Sequence, residues 1–484
     1  MTIELSDVPL PSELVLIGDK RLKGSGDVVT RYYAGTGEST GDIHLAGKQD
    51  LDDAVAAARA AFPKWRALPA SERRDMMLRA ASILSSRADR LAQLAAVDAG
   101  LVADGARGMV RTAVEWLTYY AGWVDKAGMP TVPTDPYSLD YVRNEPYGVI
   151  GVISPANSSV SAMILAPLLA AGNCAVIKPS QFTAAVTAEY LQVFVDAGMP
   201  PGVVNSIPGG ADIGDALVKH PDVNKIHFTG SCSVGAKVSA LAATLHKSSG
   251  LELGGKSANI VFPDAPLDAA AELVMRALVR QSGQSCVAGT RIIVHESVAE
   301  DLLSRTIALT RSQKVGDPLA SDTKVGPVVS AASCDRILSV ITKARERGDG
   351  KVVLGGERLG GELAGGYFIA PTIFTDVDHK SPLAQQETFG PVISFITFRT
   401  DDEAVEIAND SEFGLAAYIQ TTDLRRAHRT AAQLDVGTIW VNGAVGILAG
   451  TPFGGAKNSG LGRVGGFNGL LEFTQAKNIW VGGL

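Results

Sequence analysis

Hydrophobic and polar positions along the chain follow two rhythms. From Leu51 to Phe62 (LDDAVAAARAAF) and from Ser71 to Gly100 apolar residues recur at helical spacing, in the second segment at Met77, Ala80, Leu84, Leu91 and Ala95. Ser71 is placed to cap the second helix and Gly100 to stop it. Two amphipathic helices are predicted near the amino end.

The second rhythm begins at residue 148. GVIGVIS reads as a buried strand, Val160 to Ala171 as a helix, CAVIKP as a strand, Thr183 to Gly198 as a helix and GVVNSI as a strand. A helix from Ala211 to His220, a strand KIHFTG, a helix from Ser233 to Thr244 and a strand from Ser248 to Leu253 continue the alternation through short connections. That succession predicts an α/β fold with a doubly wound parallel sheet. A second α/β series follows a boundary near Gly254 and Gly255: a helix over Leu267 to Val279, a strand TRIIVHE, a helix over Ser297 to Gln313, and the strands PVISFITF and GTIWVN. Met129 to Glu145 and the tail NIWVGGL look extended, and neither supplies a core. They are expected to pair as sheet edges, within one chain or between subunits.

Composition narrows the function classes. A chain of 484 residues exceeds what one core usually supports, and 46% hydrophobic with 20% charged residues suits a globular α/β protein. A net charge of -7, with no Lys/Arg block, gives no reason to bind nucleic acid. The amino terminus lacks the basic and apolar regions of an export signal. The longest apolar stretch, residues 161 to 177, is interrupted by Pro167, Gly172 and Asn173, so no membrane span is expected. Cys174, Cys232, Cys286 and Cys334 form no CxxC pair and have no His at zinc spacing. Reduced thiols, a cytoplasmic location and no metal site are the corresponding expectations.

Two motif matches fail on context. GLELGGKS (250 to 257) fits the P-loop pattern, but a P-loop needs a helix at its Lys-Ser and here the β-branched ANIVFPDA follows. GLGRVG (460 to 465) fits GxGxxG, but no strand precedes it and no βαβ unit follows.

Seven other stretches, SPANSS, IKPSQ, HFTGSCSVG, LELGGKS, GQSC, ETFGPV and PFGGAKNSGLGR, together and in this order resemble the aldehyde dehydrogenase superfamily over nearly the whole chain. The chemistry of the residues agrees. Oxidising an aldehyde by hydride loss first needs a tetrahedral adduct, which a thiolate makes well. Cys286 in GQSCVAGTR is the candidate nucleophile, while a buried structural role suits the other three cysteines. Glu252, 34 residues upstream in an apolar, glycine-flanked stretch, is the candidate base, and on local sequence alone it reads equally well as a strand-end ion-pair partner. Asn157 and the backbone N–H of Cys286 are the candidate oxyanion donors.

The resemblance implies more. Cys286 would form a thiohemiacetal and then a thioester for water to cleave, with NAD or NADP as hydride acceptor. Lys178 matches the family's lysine on the adenosine ribose, Gly230 and Ser231 open a helix suited to the pyrophosphate, Leu253 adjoins the base, and Glu387 and Phe389 match contacts to the nicotinamide ribose and ring. A cofactor-binding domain is assigned to residues 1–125 and 146–254, a catalytic domain to 255–455, and a small β oligomerisation element to 126–145 and 470–484. A homodimer or homotetramer is implied.

Departures from the family pattern concern the substrate and cofactor. Ala156 stands where a tryptophan is common, Ile164 where many members keep a lysine, and Arg280 and Gln281 where Phe and Asn often precede the nucleophile. Gln181 replaces a frequent glutamate, removing a repulsion against a 2′-phosphate, so NADP is expected to be tolerated beside NAD. Trp116, Tyr120, Met163, Val287 and Phe453 are placed at the substrate mouth by motif neighbourhood, where they favour an uncharged, hydrophobic or aromatic aldehyde; the same residue types serve equally as core. A CoA-acylating enzyme and a catalytically silent cofactor-binding homologue are the competing readings.

Overall fold

The computed structural model describes residues 4–128, 130–158, 161–443 and 446–483. Met129, Ser159, Val160 and Leu484, at the edges of segments singled out above, lie outside them.

Two large sheets organise the chain. The first has eight strands in the order Lys20–Leu22, Val15–Ile17, Val204–Ser206, Cys174–Lys178, Val149–Ile153, Lys225–Thr229, Ser248–Glu252, Gly460–Leu461. Its five central strands are parallel. They are flanked by an antiparallel hairpin on one side and by the antiparallel Gly460–Leu461 on the other. Val149–Ile153 is buried along its whole length, as a strand covered by helices on both faces must be. Strand order reverses between Val149–Ile153 and Lys225–Thr229, and a crevice at the carboxyl ends of the strands is the usual binding place in such a sheet.

The second sheet has seven strands, in the order Lys351–Leu354, Thr372–Thr375, Val392–Phe398, Arg291–His295, Ala258–Val261, Ala416–Gln420, Thr438–Val441. All pairings except the first are parallel. The chain passes from the first sheet to the second through residues 253–257, so the P-loop look-alike is a strand end followed by another strand. Residues 460–465 form a glycine turn with positive φ at Gly460, Gly462 and Gly465. The carboxyl-terminal strand Thr474–Gly482 pairs antiparallel with Ser138–Pro146 of the same chain, which answers where the two extended segments go.

The amino-terminal region differs from its expected form. Ser71 to Gly100 is two helices, Ala70–Ser86 and Ala88–Ala99, joined at Arg87, whose ψ of 10° ends the first. Both helices pack against helix Ala103–Ala121, an element absent from the periodicity reading. The stop at Gly100 is as expected, with φ of 68°. Four short strands between Val15 and His44 precede the helices; too brief and polar to show a period, they were also absent from that reading.

Candidate active site

Four of the five parallel strands of the first sheet deliver a candidate residue at or just beyond the carboxyl end. Asn157 follows Val149–Ile153, Lys178 ends Cys174–Lys178, Gly230 and Ser231 follow Lys225–Thr229, and Glu252 ends Ser248–Glu252. Cys286 comes from the other side, in the turn between helix Leu267–Val279 and strand Arg291–His295. The candidate base and donor therefore ride on one sheet and the candidate nucleophile on the other.

The turn before Cys286 is unusual. Gln281, Ser282 and Gly283 follow one another at φ of 50°, 53° and 72°. For the two residues that are not glycine this left-handed backbone costs about 1–2 kcal/mol each, which the surroundings must over-determine. They do so with hydrogen bonds: Ser282 Oγ donates to the Gly326 carbonyl at 2.6 Å, Gln284 Nε2 to the Gln281 carbonyl at 3.0 Å, and Val329 N to Gln284 Oε1 at 3.0 Å. Gly283 is required, because a Cβ there would fall 2.1 Å from the Gly390 oxygen.

Asn157 is tied to the same turn twice. Its Nδ2 donates to the Gln284 carbonyl at 3.0 Å, and its own carbonyl accepts from Gln281 Nε2 at 3.2 Å. A side-chain amide has two N–H groups, so one remains for an oxyanion beside Cys286.

Glu252 is buried, and its Oε2 has no hydrogen-bond partner among the described residues. Burial raises its pKa well above the ordinary value, Arg463 opposes the rise and Glu472 adds to it. The Cys286 thiol is pushed up to about 12 by burial and then by the Glu387 and Glu252 carboxylates. At rest it is a neutral thiol needing a base, and two carboxylates contribute to its electrostatic surroundings.

Glu387 reaches the crossing between the sheets. Its Oε1 accepts from Gly255 N at 3.0 Å, and its Oε2 would lie 2.5 Å from a Cβ on Gly254. Burial raises its pKa, while the Gly255 N–H, Lys256 and Arg336 lower it. Phe389, two residues on, holds φ of 50°, a strained conformation for an aromatic residue.

The residues at the crevice fit a dinucleotide. Ser231 precedes helix Cys232–Thr244 and makes no side-chain cap bond, leaving the first N–H groups of that helix for phosphate oxygens. Lys178 has only a 3.4 Å contact to the carbonyl of its neighbour Pro179; burial lowers it to about 8, against the pull of Asp212. Leu253 supports the helix from below, its Cδ2 lying 2.5 Å from where a Cβ on Gly235 would be. Gln181 lines a cleft shared with Arg31, Tyr32, Ser330 and Tyr367.

The five residues placed at the substrate mouth all join the apolar cluster against which Cys286 packs, but at different depths. Trp116 and Tyr120 present no surface at all, and their polar atoms are taken by the carbonyls of Ile447 and Gly466. They are a supporting layer, because helix Ala103–Ala121 turns that face inward. Val287 and Phe453 are also buried, and only Met163 is partly open.

Three residues near the site were not singled out from sequence. Tyr418 donates its hydroxyl to the Val287 carbonyl at 2.8 Å, from a different sheet strand and 131 residues away. Arg463, in the glycine turn, counters the burial of Glu252. Lys256 is fully enclosed and lowered to about 7 by burial and Arg291. Lys256 and Arg463 stood inside stretches quoted above, LELGGKS and PFGGAKNSGLGR, without being singled out, while Tyr418 left no sequence signal.

Comparison with known proteins gives one answer. The model of the aldehyde dehydrogenase family matches residues 22–479. An aldehyde dehydrogenase from Enchytraeus buchholzi is 40% identical over 94% of this chain and 93% of its own. PnpE from Pseudomonas sp. WBC-3, solved in complex with nicotinamide adenine dinucleotide, is 37% identical and superposes with a TM-score of 0.95 over 98% of both chains. The NAD+ complex of an aldehyde dehydrogenase from Bacillus cereus is 34% identical, with a TM-score of 0.95 over the full length of both. A similarity that runs through both sheets and nearly every residue leaves no part of the fold to another origin, and the chain belongs to the aldehyde dehydrogenase family.

Proposed function

We propose that the protein oxidises an aldehyde with an apolar carbon skeleton, aliphatic or aromatic, to the carboxylic acid with NAD or NADP. Cys286 Sγ attacks the carbonyl carbon while its proton passes to a carboxylate, Glu252 being the candidate. The oxyanion of the thiohemiacetal is held by the free N–H of Asn157 Nδ2 and the backbone N–H of Cys286. The cofactor, when bound, supplies a nicotinamide that accepts the hydride. Lys178, Gln181, Gly230, Ser231, Leu253, Glu387 and Phe389 are assigned to hold it.

The remaining acyl group is a thioester on Cys286. Glu252, after passing the thiol proton to solvent, takes a proton from water, the water oxygen attacks the acyl carbon, and Cys286 leaves as thiolate, releasing the acid. A buried carboxylate with one oxygen unclaimed by the protein supports water, rather than CoA, as the acceptor. Met163, Val287 and Phe453 carry the expectation of an apolar skeleton. The extended segments pair within one chain, so a homodimer or homotetramer rests on the family resemblance alone, while four free thiols support the cytoplasm. Among the described residues no helix is long and apolar enough to cross a membrane.

The observation that carries this reading is the double tether of Asn157 to the turn of Cys286. An aldehyde panel with NAD and NADP, run beside Cys286→Ala and with product analysis in the presence and absence of CoA, tests it. Wild-type turnover that is lost in the alanine variant and yields free acid is expected; undiminished oxidation by the variant ends the mechanism.

A further inference from the structure

Glu252 shares its strand face with a second carboxylate. Ser248, Gly250 and Glu252 alternate along Ser248–Glu252 and point to one side, and the parallel register sets Lys225 beside Ser248 and His227 beside Gly250. Glu472, the last residue of helix Gly466–Glu472, lies over that face. Its Oε1 accepts from Lys225 Nζ at 2.8 Å and would lie 2.8 Å from a Cβ on Gly250, so the missing side chain at position 250 makes room for it.

The glycine turn touches both acids. A Cβ on Gly462 would fall 2.7 Å from Glu472 Oε2, and one on Gly454 would fall 3.0 Å from Glu252 Oε1 and 2.7 Å from the Gly462 carbonyl oxygen. Glu472 therefore stands over a position two residues from Glu252, about 7 Å along the strand. Lys225 is buried, donates also to Ser248 Oγ at 3.0 Å and has the Tyr147 ring 5.0 Å away, which fixes Glu472 as the anion of the pair.

The other charged or titratable groups around the two acids are His227 from the Lys225 strand, Arg463 from the glycine turn and Cys286 from the nucleophile turn. His227, enclosed and lowered to about 3 by burial and by Lys225, stays neutral. Cys286 is a neutral thiol at rest and carries no charge as a thioester. Arg463 Nη1 is held by the carbonyls of Gly455 and Gly462, so Glu472 and Arg463 are the opposed charges that bear on Glu252.

We infer that Glu472 is a positioning residue for the hydrolytic step: its charge, fixed by Lys225, makes Glu252 a stronger base toward water and sets the acid limit of thioester cleavage. The inference rests on the reading of Glu252 as the base. A negative charge beside a carboxylate favours the protonated form, so Glu252 takes the water proton more readily and gives up its ionised form at a higher pH.

The test follows decay of the acyl-enzyme against pH. With enzyme in excess over aldehyde and NAD saturating, rapid quench measures the free acid leaving Cys286; the thioester has no thiol to titrate, so the acid limb of the decay reports the base. The variants are Glu472→Gln and the double variant Glu472→Gln with Lys225→Met, which leaves no unpaired buried lysine should the single variant fail to fold. Both are expected to move the acid limb down by about one pH unit and to lower the alkaline plateau severalfold, so that their profiles cross that of the wild type. A limb that stays in place, or a fall of equal size at every pH, overturns this inference and leaves Glu252 as the base. Decay in Glu252→Gln with the wild-type rate and limb overturns both.

Discussion

Gly255 lies so close to Cys286 that a Cβ on it would fall 2.5 Å from the carbonyl oxygen of the cysteine. The same glycine donates its N–H to Glu387 at 3.0 Å, so one residue without a side chain sets the distance between the nucleophile turn and a cofactor-assigned carboxylate. Gly255→Ala must move one of them. Because a displacement of about 1 Å at a reacting centre costs on the order of a hundredfold, kcat is expected to fall by about that factor. Steady-state kinetics beside thiol alkylation of Cys286 checks it; unchanged kcat in a folded variant contradicts the packing described.

Tyr418 holds the turn from the opposite side. Its hydroxyl is the donor to the Val287 carbonyl, and its ring stacks on Trp440 with centroids 5.1 Å apart. Tyr418→Phe keeps the stack and removes the bond, a loss of about 1 kcal/mol. A severalfold decrease in kcat is expected with KM nearly constant, since only the orientation of the nucleophile changes.

The pH profile follows from the raised groups. Glu252 and Cys286 both act deprotonated, and both have pKa values raised by burial. The working forms therefore become populated as pH rises, so kcat/KM of the free enzyme climbs toward alkaline pH and falls in acid. Glu252→Gln cannot take a proton from water, and by about tenfold or more slows deacylation. Because Glu252 is also the candidate acceptor of the thiol proton, rapid mixing should show reduced cofactor released slowly in the first turnover as well as in the steady state; a variant with wild-type rates shows that another group is the base.

Gln181 bears on cofactor choice. A glutamate there would add charge repulsion against a 2′-phosphate, so Gln181→Glu is expected to lower kcat/KM for NADP relative to NAD by about tenfold. A large NAD preference in the wild type, unchanged in the variant, sinks the idea.

Much of this was written in local sequence. The strands GVIGVI, CAVIK and KIHFT are continuous apolar runs with helices between them, and burial on both faces is the only stable use for such runs. Cys286, Glu252 and Asn157 were legible as types of residue at characteristic places: a thiol in a polar turn, a carboxylate in an apolar strand end, an amide just past a strand. Trp116 and Tyr120 are fully enclosed, and an aromatic face on an amphipathic helix reads alike whether it meets a substrate or another helix.

The chain order of strands and helices, and the chemistry available to Cys286, were thus determined by the sequence itself, because periodicity and side-chain type are local properties. Which groups meet was decided only by tertiary structure. The Tyr418 to Val287 bond, the contact of Gly255 with Cys286 and the bracing of Asn157 by Gln281 and Gln284 all join segments far apart in the sequence. Such contacts have no period and no spacing, and come from the packing of whole elements.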